Sequence, residues 1–261
     1  MNKARRMNIT LLGTGTSQGV PVIACECLVC NSKNPKDNRL RSSVMIEVDG
    51  QTIVIDTGPD FRQQMLREKV NNVDAVLFTH HHKDHVAGMD DVRAFNHKWK
   101  KDMQVFCNDL TAEVLKKEFP YVFSEKKYPG VPNVNINLFT NNVFNINNTS
   151  IIPIKAQHYL LPVYGFRIYD FIYLTDVSEI SELEKEKMKD ADLIILDALR
   201  HKPHISHFNL EQAVELLQYL KPRKALLTHI SHYMGLHDDV NSTLPDNINL
   251  GFDGQLVTLK Y

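Results

Sequence analysis

The sequence predicts an α/β fold, and three observations point to it. Short apolar runs of strand length alternate with helical stretches along the chain. Polar clusters rich in His and Asp follow directly on several of those runs. The 261 residues are 43% hydrophobic and 23% charged, enough apolar content for a substantial core in water. One domain over residues 1–261 is expected, since no solenoid repeat, low-complexity segment or linker interrupts the chain.

The elements follow in order. Residues 9–12, Ile-Thr-Leu-Leu, read as a first strand closing on Gly13-Thr14-Gly15. The preceding Lys3, Arg5 and Arg6 carry the charge of a signal n-region. The run after them is too short and too glycine-broken for an h-region, and no small-residue cleavage site follows. Strands at 44–48 and 53–55 are joined by the Asp49-Gly50 hairpin turn. Residues 61–70 read as a helix and 73–79 as a strand. Further strands are expected at 103–107, 151–156, 166–169, 171–174, 193–196 and 225–228, with helices at 110–119, 179–189 and 210–220.

The helix at 210–220 is the most explicit. Leu210, Ala213, Val214, Leu217 and Leu220 make one apolar face, Asn209 is the N-cap with Gln212 three residues on, and Lys221-Pro222 ends it. The asparagine-rich stretch 133–148 reads as turns around edge strands. Cys107 closes the apolar run Met103-Gln104-Val105-Phe106 and reads as a buried strand residue.

Charge narrows the function. Thirty basic and 31 acidic residues give a net charge of −1, which offers no broad attraction for nucleic acid or an anionic membrane. No run approaches the roughly 20 apolar residues that cross a bilayer. A cytoplasmic protein is expected.

The segment His80-His81-His82-Lys83-Asp84-His85 carries the chemistry. A six-residue loop at a strand end can aim its imidazoles and carboxylate at two points. Such donors suit zinc and its first-row neighbours, and a catalytic site leaves a position open for water. Asp56, Asp176 and His229 also follow apolar strands, which fixes them on rigid backbone around an open mouth. Three of the four cysteines crowd into Cys25-Glu26-Cys27-Leu28-Val29-Cys30. In a reducing compartment that spacing points to thiolate metal ligation rather than disulfides. Tetrahedral zinc needs a fourth ligand, and His232, three residues beyond His229, is the best candidate.

Taken together, Gly13-Thr14-Gly15, Asp56-Thr57-Gly58, the 80–85 motif, then His158, Asp176 and His229 resemble the metallo-β-lactamase-fold hydrolases over nearly the whole chain. The resemblance implies a four-layer αββα sandwich with a dinuclear site. His80, His82 and His158 would hold one metal, Asp84, His85 and His229 the other, and Asp176 would bridge. Two ions about 3.5–4 Å apart can clamp both the attacking and the leaving oxygen. Two dications less two carboxylates leave about two positive charges, which favours an anionic phosphoester over a neutral amide. Asp56 orients a metal-bound histidine or caps the turn at Thr57-Gly58, and the two roles are compatible. His81 and Lys83 alternate with the ligands and are expected to point away. Asp at 176, where the best-known β-lactamases carry Cys, separates the chain from them. His at 82 separates it from the diiron branch.

The cysteine motif with His232 is similar to that of the phosphodiesterase subgroup typified by the phosphoribosyl cyclic phosphodiesterase of phosphonate breakdown. It is also similar to the pyrroloquinoline-quinone biosynthesis protein B group. The first likeness puts a catalytic histidine at His207, just ahead of the capped helix, with His204 as its competitor or as a substrate contact. A histidine can protonate a leaving alkoxide near neutrality. Asp84 is expected to serve catalysis as well as ligation. The glycine loop 13–19 offers backbone N–H groups and Ser17 to a phosphate, or is simply a tight turn; it is not a Walker loop. Arg39 and Arg41 read as solvated surface.

The function implied is a dinuclear metal-dependent phosphodiesterase that opens a small cyclic phosphate by attack of an activated water. The substrate would be 5-phosphoribosyl 1,2-cyclic phosphate or a 2′,3′-cyclic nucleotide. Two zinc or manganese ions would serve the active site, and one zinc would be structural. The alternatives are a tRNA 3′-end-processing endoribonuclease, whose basic glycine- and proline-rich arm is missing here, and a metal-bearing carrier like the quinone-biosynthesis protein. The expected partner is a small phosphodiester, with nucleic acid limited to nucleotides or short RNA ends and no membrane. A homodimer is allowed.

Overall fold

A computed structural model describes residues 5–261. In chain order it holds β1 (Arg6–Gly13), β2 (Ser43–Val48), β3 (Gln51–Ile55), α1 (Phe61–Arg67), β4 (Ala75–Leu77), α2 (Lys83–Val86), α3 (Arg93–Trp99) and β5 (Met103–Cys107). Next come α4 (Asp109–Glu118), α5 (Pro120–Phe123), β6 (Val134–Leu138), β7 (Phe144–Ile146), β8 (Thr149–His158), β9 (Leu161–Ile168) and β10 (Phe171–Leu174). The chain closes with α6 (Glu182–Glu186), β11 (Leu193–Asp197), α7 (Leu210–Leu220), β12 (Lys224–Thr228), α8 (His237–Asn241), β13 (Ile248–Leu250) and β14 (Leu256–Lys260).

The strands form two seven-stranded sheets, ordered β14-β1-β2-β3-β4-β5-β6 and β13-β12-β11-β10-β9-β8-β7. Both sheets follow one plan. From β14 to β3 and from β7 to β10 neighbours are antiparallel; from β3 to β6 and from β10 to β13 they are parallel. Parallel neighbours need a crossover, so helices must cover one face of each sheet. Three apolar layers result. Ile9, Ile46, Ile53, Phe166, Phe171 and Ile195 pack between the sheets. Met65, Phe95 and Leu115 seat α1, α3 and α4 on the first sheet, and Leu217 and Val240 seat α7 and α8 on the second. This is the four-layer αββα sandwich.

The expected elements are present with shifted ends. The hairpin turn holds Asp49 at φ 51° and Gly50 at φ 78°, the left-handed pair a tight two-residue turn needs. Helix α7 spans its expected residues, with the Asn209–Gln212 capping box formed. The 133–148 stretch supplies β6 and β7, each at the edge of a sheet, and Cys107 is fully buried in β5. The helix expected over 179–189 shrinks to α6, because the Gln157 N–H bonds the Glu179 carbonyl and Ser181 caps the turn instead. The expectation of a six-residue histidine loop is corrected too. Its second half is the helical turn α2, which starts after His82. The elements after His232, α8, β13 and β14, carried too little periodicity to be expected. No helix among the described residues is long and apolar enough to cross a membrane.

Two glycines let α2 sit close to the turn that follows β3. A Cβ on Gly58 would collide with the Asp84 carbonyl, and one on Gly88 would collide with the Gly58 carbonyl. Thr57 N–H bonds the His85 carbonyl at 2.8 Å, and Gly88 N–H bonds the Thr57 carbonyl at 2.8 Å. Gly88→Ala is therefore expected to lower the unfolding free energy by about 1–3 kcal/mol, as overpacking does. Urea unfolding measures this, and an unchanged midpoint would show that the contact yields freely.

Candidate metal centre

The ends of the parallel strands in both sheets meet at one place. His80, His82 and His158 bring ligand atoms within 4.8 Å of one another, and so do Asp84, His85, Asp176 and His229. Asp176 lies between the two groups. Its Oδ1 is 3.3 Å from His229 Nε2 and 4.0 Å from His158 Nε2, while its Oδ2 is 3.1 Å from His85 Nε2. Asp84 Oδ2 stands 3.2 Å from His85 Nε2 and 3.6 Å from His229 Nε2. His82 is exposed and marks the mouth; the other imidazoles of the two groups are buried.

Backbone conformation aims three of these residues. Asp56, Asp176 and His229 follow β3, β10 and β12 with φ of 64°, 56° and 58°. The left-handed region is uncommon outside glycine, though Asp, Asn and His enter it more readily than most. Asp176 and His229 turn their side chains towards His85 and Asp84 of the other sheet, while Asp56 turns towards Thr79 and His85 beside its own.

The chemistry of the donor set fits cations. His80 Nε2, His85 Nε2 and both ring nitrogens of His229 are buried without a hydrogen-bond partner. Such atoms are rare in native proteins, because each lost partner costs about 1–3 kcal/mol. Their opposite faces are already assigned. Thr79 donates its hydroxyl to Asp56 Oδ2 at 2.8 Å, so it can only accept from His80 Nδ1 at 3.0 Å. His85 Nδ1 donates to Asp56 Oδ2 at 2.7 Å, and His158 Nδ1 donates to the Ser206 carbonyl at 2.7 Å. With Nδ1 protonated, each Nε2 presents a bare lone pair to the centre. Burial and neighbouring His85 hold His80 neutral. Burial also opposes charge on His85, yet Asp176, Asp84 and Asp56 together push it towards its protonated form. A cation among those carboxylates would displace that proton. Burial opposes ionisation of Asp84 and Asp176 as well, but the surrounding imidazoles hold both carboxyls well below the usual range.

His207 is buried beside this cluster. Its ring stacks on His229 at 4.8 Å and meets His158 edge-on at 4.6 Å. Its Nδ1 lies 3.2 Å from Asp197 Oδ2. Burial pushes the His207 pKa down, but Asp197 prevails and holds it up at about 9. His204 is half-buried, 5.2 Å from His207 between ring centres, and its Nδ1 faces the Ser206 N–H and hydroxyl. Ser17 is exposed on a loop tied to the His229 segment, since Thr16 N–H bonds the Ile230 carbonyl at 3.1 Å. Lys83 points away and pairs with Glu118, while His81 is half-buried.

Asp197 was not among the sequence candidates, although it ends the apolar run Leu193-Ile194-Ile195-Leu196 as the others end theirs. Its Oδ1 also lies 3.6 Å from His229 Nδ1, so one carboxylate faces two site histidines. A second missed signal is threonine before the donor: Thr79-His80, Thr175-Asp176 and Thr228-His229 each come at or within two residues of the end of β4, β10 and β12. The solvated reading of Arg39 is corrected. Arg39 is buried, with Nη1 donating to Thr14 Oγ1 at 2.8 Å and to the Gly251 carbonyl at 2.5 Å, and Nη2 3.1 Å from His237 Nδ1. Arg41 pairs with Asp60 at 3.1 Å.

A second cluster joins the N-terminal loop to the His229 segment. The sulfurs of Cys25, Cys27 and Cys30 lie 3.2, 3.5 and 3.5 Å from His232 Nδ1. Zinc with sulfur at about 2.3 Å and nitrogen at about 2.0 Å, at tetrahedral angles, would hold such atoms about 3.5 Å apart. The Cys30 N–H, donating to Cys27 Sγ at 3.4 Å, brings that thiol down to about 6, whereas burial raises Cys30 to about 11. Val22 N–H donates to Cys30 Sγ at 3.3 Å. All four candidates for this site therefore converge.

Residues 51–230 match the family described as the beta-lactamase superfamily domain. The chain is 36% identical over 251 residues to a Porphyromonas gingivalis protein named octanoyltransferase, covering 95% of this chain and 51% of that one. It thus spans about half the length of that relative. A crystal structure of a diphosphatase from the PhnP family superposes with a TM-score of 0.93 at 38% identity, covering 99% of each chain. Zn²⁺-bound PqqB of Methylobacterium extorquens superposes with a TM-score of 0.79 at 16% identity, covering 97% of this chain and 100% of that one, a likeness of fold.

Metal content tests the two clusters separately. Zinc-loaded protein is expected to carry about three ions per chain, from the three donor groups at the spacings zinc takes. Cys27→Ser should lose one of them, and Asp176→Ala should lose one or both of the others while keeping the cysteine-bound ion. Elemental analysis after gel filtration reads the count; an unchanged count in Cys27→Ser would remove the cysteine cluster as a site.

Proposed function

The chain belongs to the beta-lactamase superfamily, and from that premise we propose that it is a dinuclear metal-dependent phosphodiesterase acting on a small cyclic phosphate. The observation that carries this reading is the pair of donor groups joined through Asp176 with His207, a proton carrier, packed against both. In this reading His80, His82 and His158 would hold one ion and Asp84, His85 and His229 the other, with Asp176 lying between the two groups. Divalent ions bound there supply an acidified water and positive charge for the phosphoryl oxygens.

The chain's own residues do the rest. Asp56, the Ser206 carbonyl and Thr79 keep three imidazoles with Nε2 bare and facing inward. Asp84 adds negative charge beside His85 and His229 and would help hold the second ion. Asp197 favours the protonated form of His207, which would let its Nε2 protonate the oxygen leaving phosphorus. Ser17 and His204 would contact the phosphate or its sugar. The expected product is a phosphomonoester.

A second reading, cleavage of a diphosphate linkage, is favoured by the diphosphatase that shares 38% of its sequence with this chain. The leaving group separates the two. A ribose alkoxide needs a proton as it departs; a phosphate or a nitrophenolate needs it much less. Octanoyl transfer is the name of a protein about twice as long, and it draws no support from a cluster of metal donors.

His207→Ala should keep its metals and lose about 10²–10⁴ in turnover of a 2′,3′-cyclic nucleotide, with a much smaller loss on bis(p-nitrophenyl) phosphate. Equal losses on both would remove His207 as the leaving-group acid. pH dependence follows with its sign. Activity needs protonated His207 and so falls as pH rises through its pKa. Asp197→Asn takes away the carboxylate that raises that pKa, so the alkaline limb of kcat/KM should move to lower pH. An unmoved limb would argue that Asp197 acts only through His229.

A further inference from the structure

We propose that His201 is a positioning residue: its imidazole ties the loop that carries His207 to the turn that carries His232. His201 Nε2 lies 2.8 Å from the Met234 carbonyl, and a carbonyl can only accept, so the nitrogen donates. Met234 ends the short helical turn that begins at His232. The His201 side chain therefore joins the His207 loop to the turn on which His232 sits.

The rest of the loop shows why this link matters. Residues 200–207 bulge out between β11 and α7. The base is closed, since Leu199 N–H bonds the Phe208 carbonyl at 3.0 Å and Leu210 N–H bonds the Arg200 carbonyl at 2.9 Å. On its inner side the loop makes two contacts with the metal centre, Ser206 carbonyl to His158 Nδ1 at 2.7 Å and His207 Nδ1 to Asp197 at 3.2 Å. On its outer side Arg200 bonds only within the loop, to the Lys202 and Pro203 carbonyls. His201 reaches out of the loop to a different segment. That segment is itself held firmly: Ser231 bonds the Leu199 carbonyl through both its N–H and its hydroxyl, and Ile230 N–H bonds the Thr14 carbonyl at 2.8 Å. Without the tether, the 200–207 bulge keeps its closed base, the Asn209 side chain on the His201 carbonyl at 3.2 Å and the two inner contacts, but loses its one side-chain bond to the 232–234 turn.

The kinetic part of this inference rests on the phosphodiesterase reading; the structural part does not. His201 is exposed at the surface and outside every apolar layer, so replacing it leaves the fold intact. The test compares the full-length, metal-loaded native protein with His201→Ala and His201→Gln, the latter keeping a donor nitrogen at the same reach. His201→Ala should lower kcat on 2′,3′-cyclic AMP about tenfold with KM within about twofold, since a small displacement of a catalytic group is enough to do this. Metal content should not change, and amide deuterium uptake over 200–208 should accelerate. His201→Gln should restore both readouts most of the way. Native uptake and kcat in His201→Ala would overturn the proposal, and so would a His201→Gln as impaired as the alanine variant. If the native protein hydrolyses no phosphodiester, the functional reading fails by itself, and deuterium uptake still decides the tether.

Discussion

Buried imidazole nitrogens without partners are the constraint on which this structure turns. Four of the five such atoms among the described residues belong to the donor groups, on His80, His85 and His229, at the ends of β4 and β12 and in α2; the fifth is His81 Nδ1. A fold would not keep that arrangement for packing alone, because apolar residues of the same size would fill the space at lower cost. Much of the nearby sequence answers to it. Asp56 and Thr79 fix ring orientation, Gly58 and Gly88 let α2 approach, and three left-handed residues turn donors inward. Backbone strain of about 1–3 kcal/mol per such residue is tolerated where the surroundings over-determine the conformation.

The superfamily and its sandwich were legible before any coordinates, because the ligand-bearing clusters follow strands in a fixed order. Helix α7 was legible to the residue, since its cap and apolar face are both local signals. The convergence of His158 with His80 and His82 was expected from family likeness, and no local pattern would have revealed it. Asp197 escaped attention because a single carboxylate at a strand end has no spacing signature, though its strand matches the others. Arg39 was misread for a related reason. A lone arginine reads as surface, and only the folded chain brings Thr14, Gly251 and His237 around it. Strand β14 was missed because its register with β1 joins residues some 250 positions apart, and no local window contains both.

The site also separates two kinds of histidine by their neighbours. Those with Nδ1 bound to a carbonyl, a hydroxyl or the shared Asp56 offer a lone pair inward. His207 instead faces Asp197 Oδ2, an oxygen that also accepts from the Val177 N–H, and that carboxylate favours its protonated form. One residue type thus meets opposite electrostatic surroundings within about 5 Å, and the difference lies in the partner behind each ring. The relatives carry different names on this frame, a diphosphatase and a quinone-synthesis protein among them. Loops beside the donors, such as 200–207, are where such names would part.

The donors come from both halves of the sandwich. His80, His82, Asp84 and His85 extend from the first sheet, and His158, Asp176 and His229 from the second. Any ion held by both is a rivet through the interior seam, present only while the two sheets face each other. Ligands that bind the native state alone add about 4 kcal/mol at a thousandfold excess over Kd, against a typical total of about 5–15 kcal/mol. Metal supply in the cell would then govern how long each copy survives proteolysis, as well as how fast it turns over.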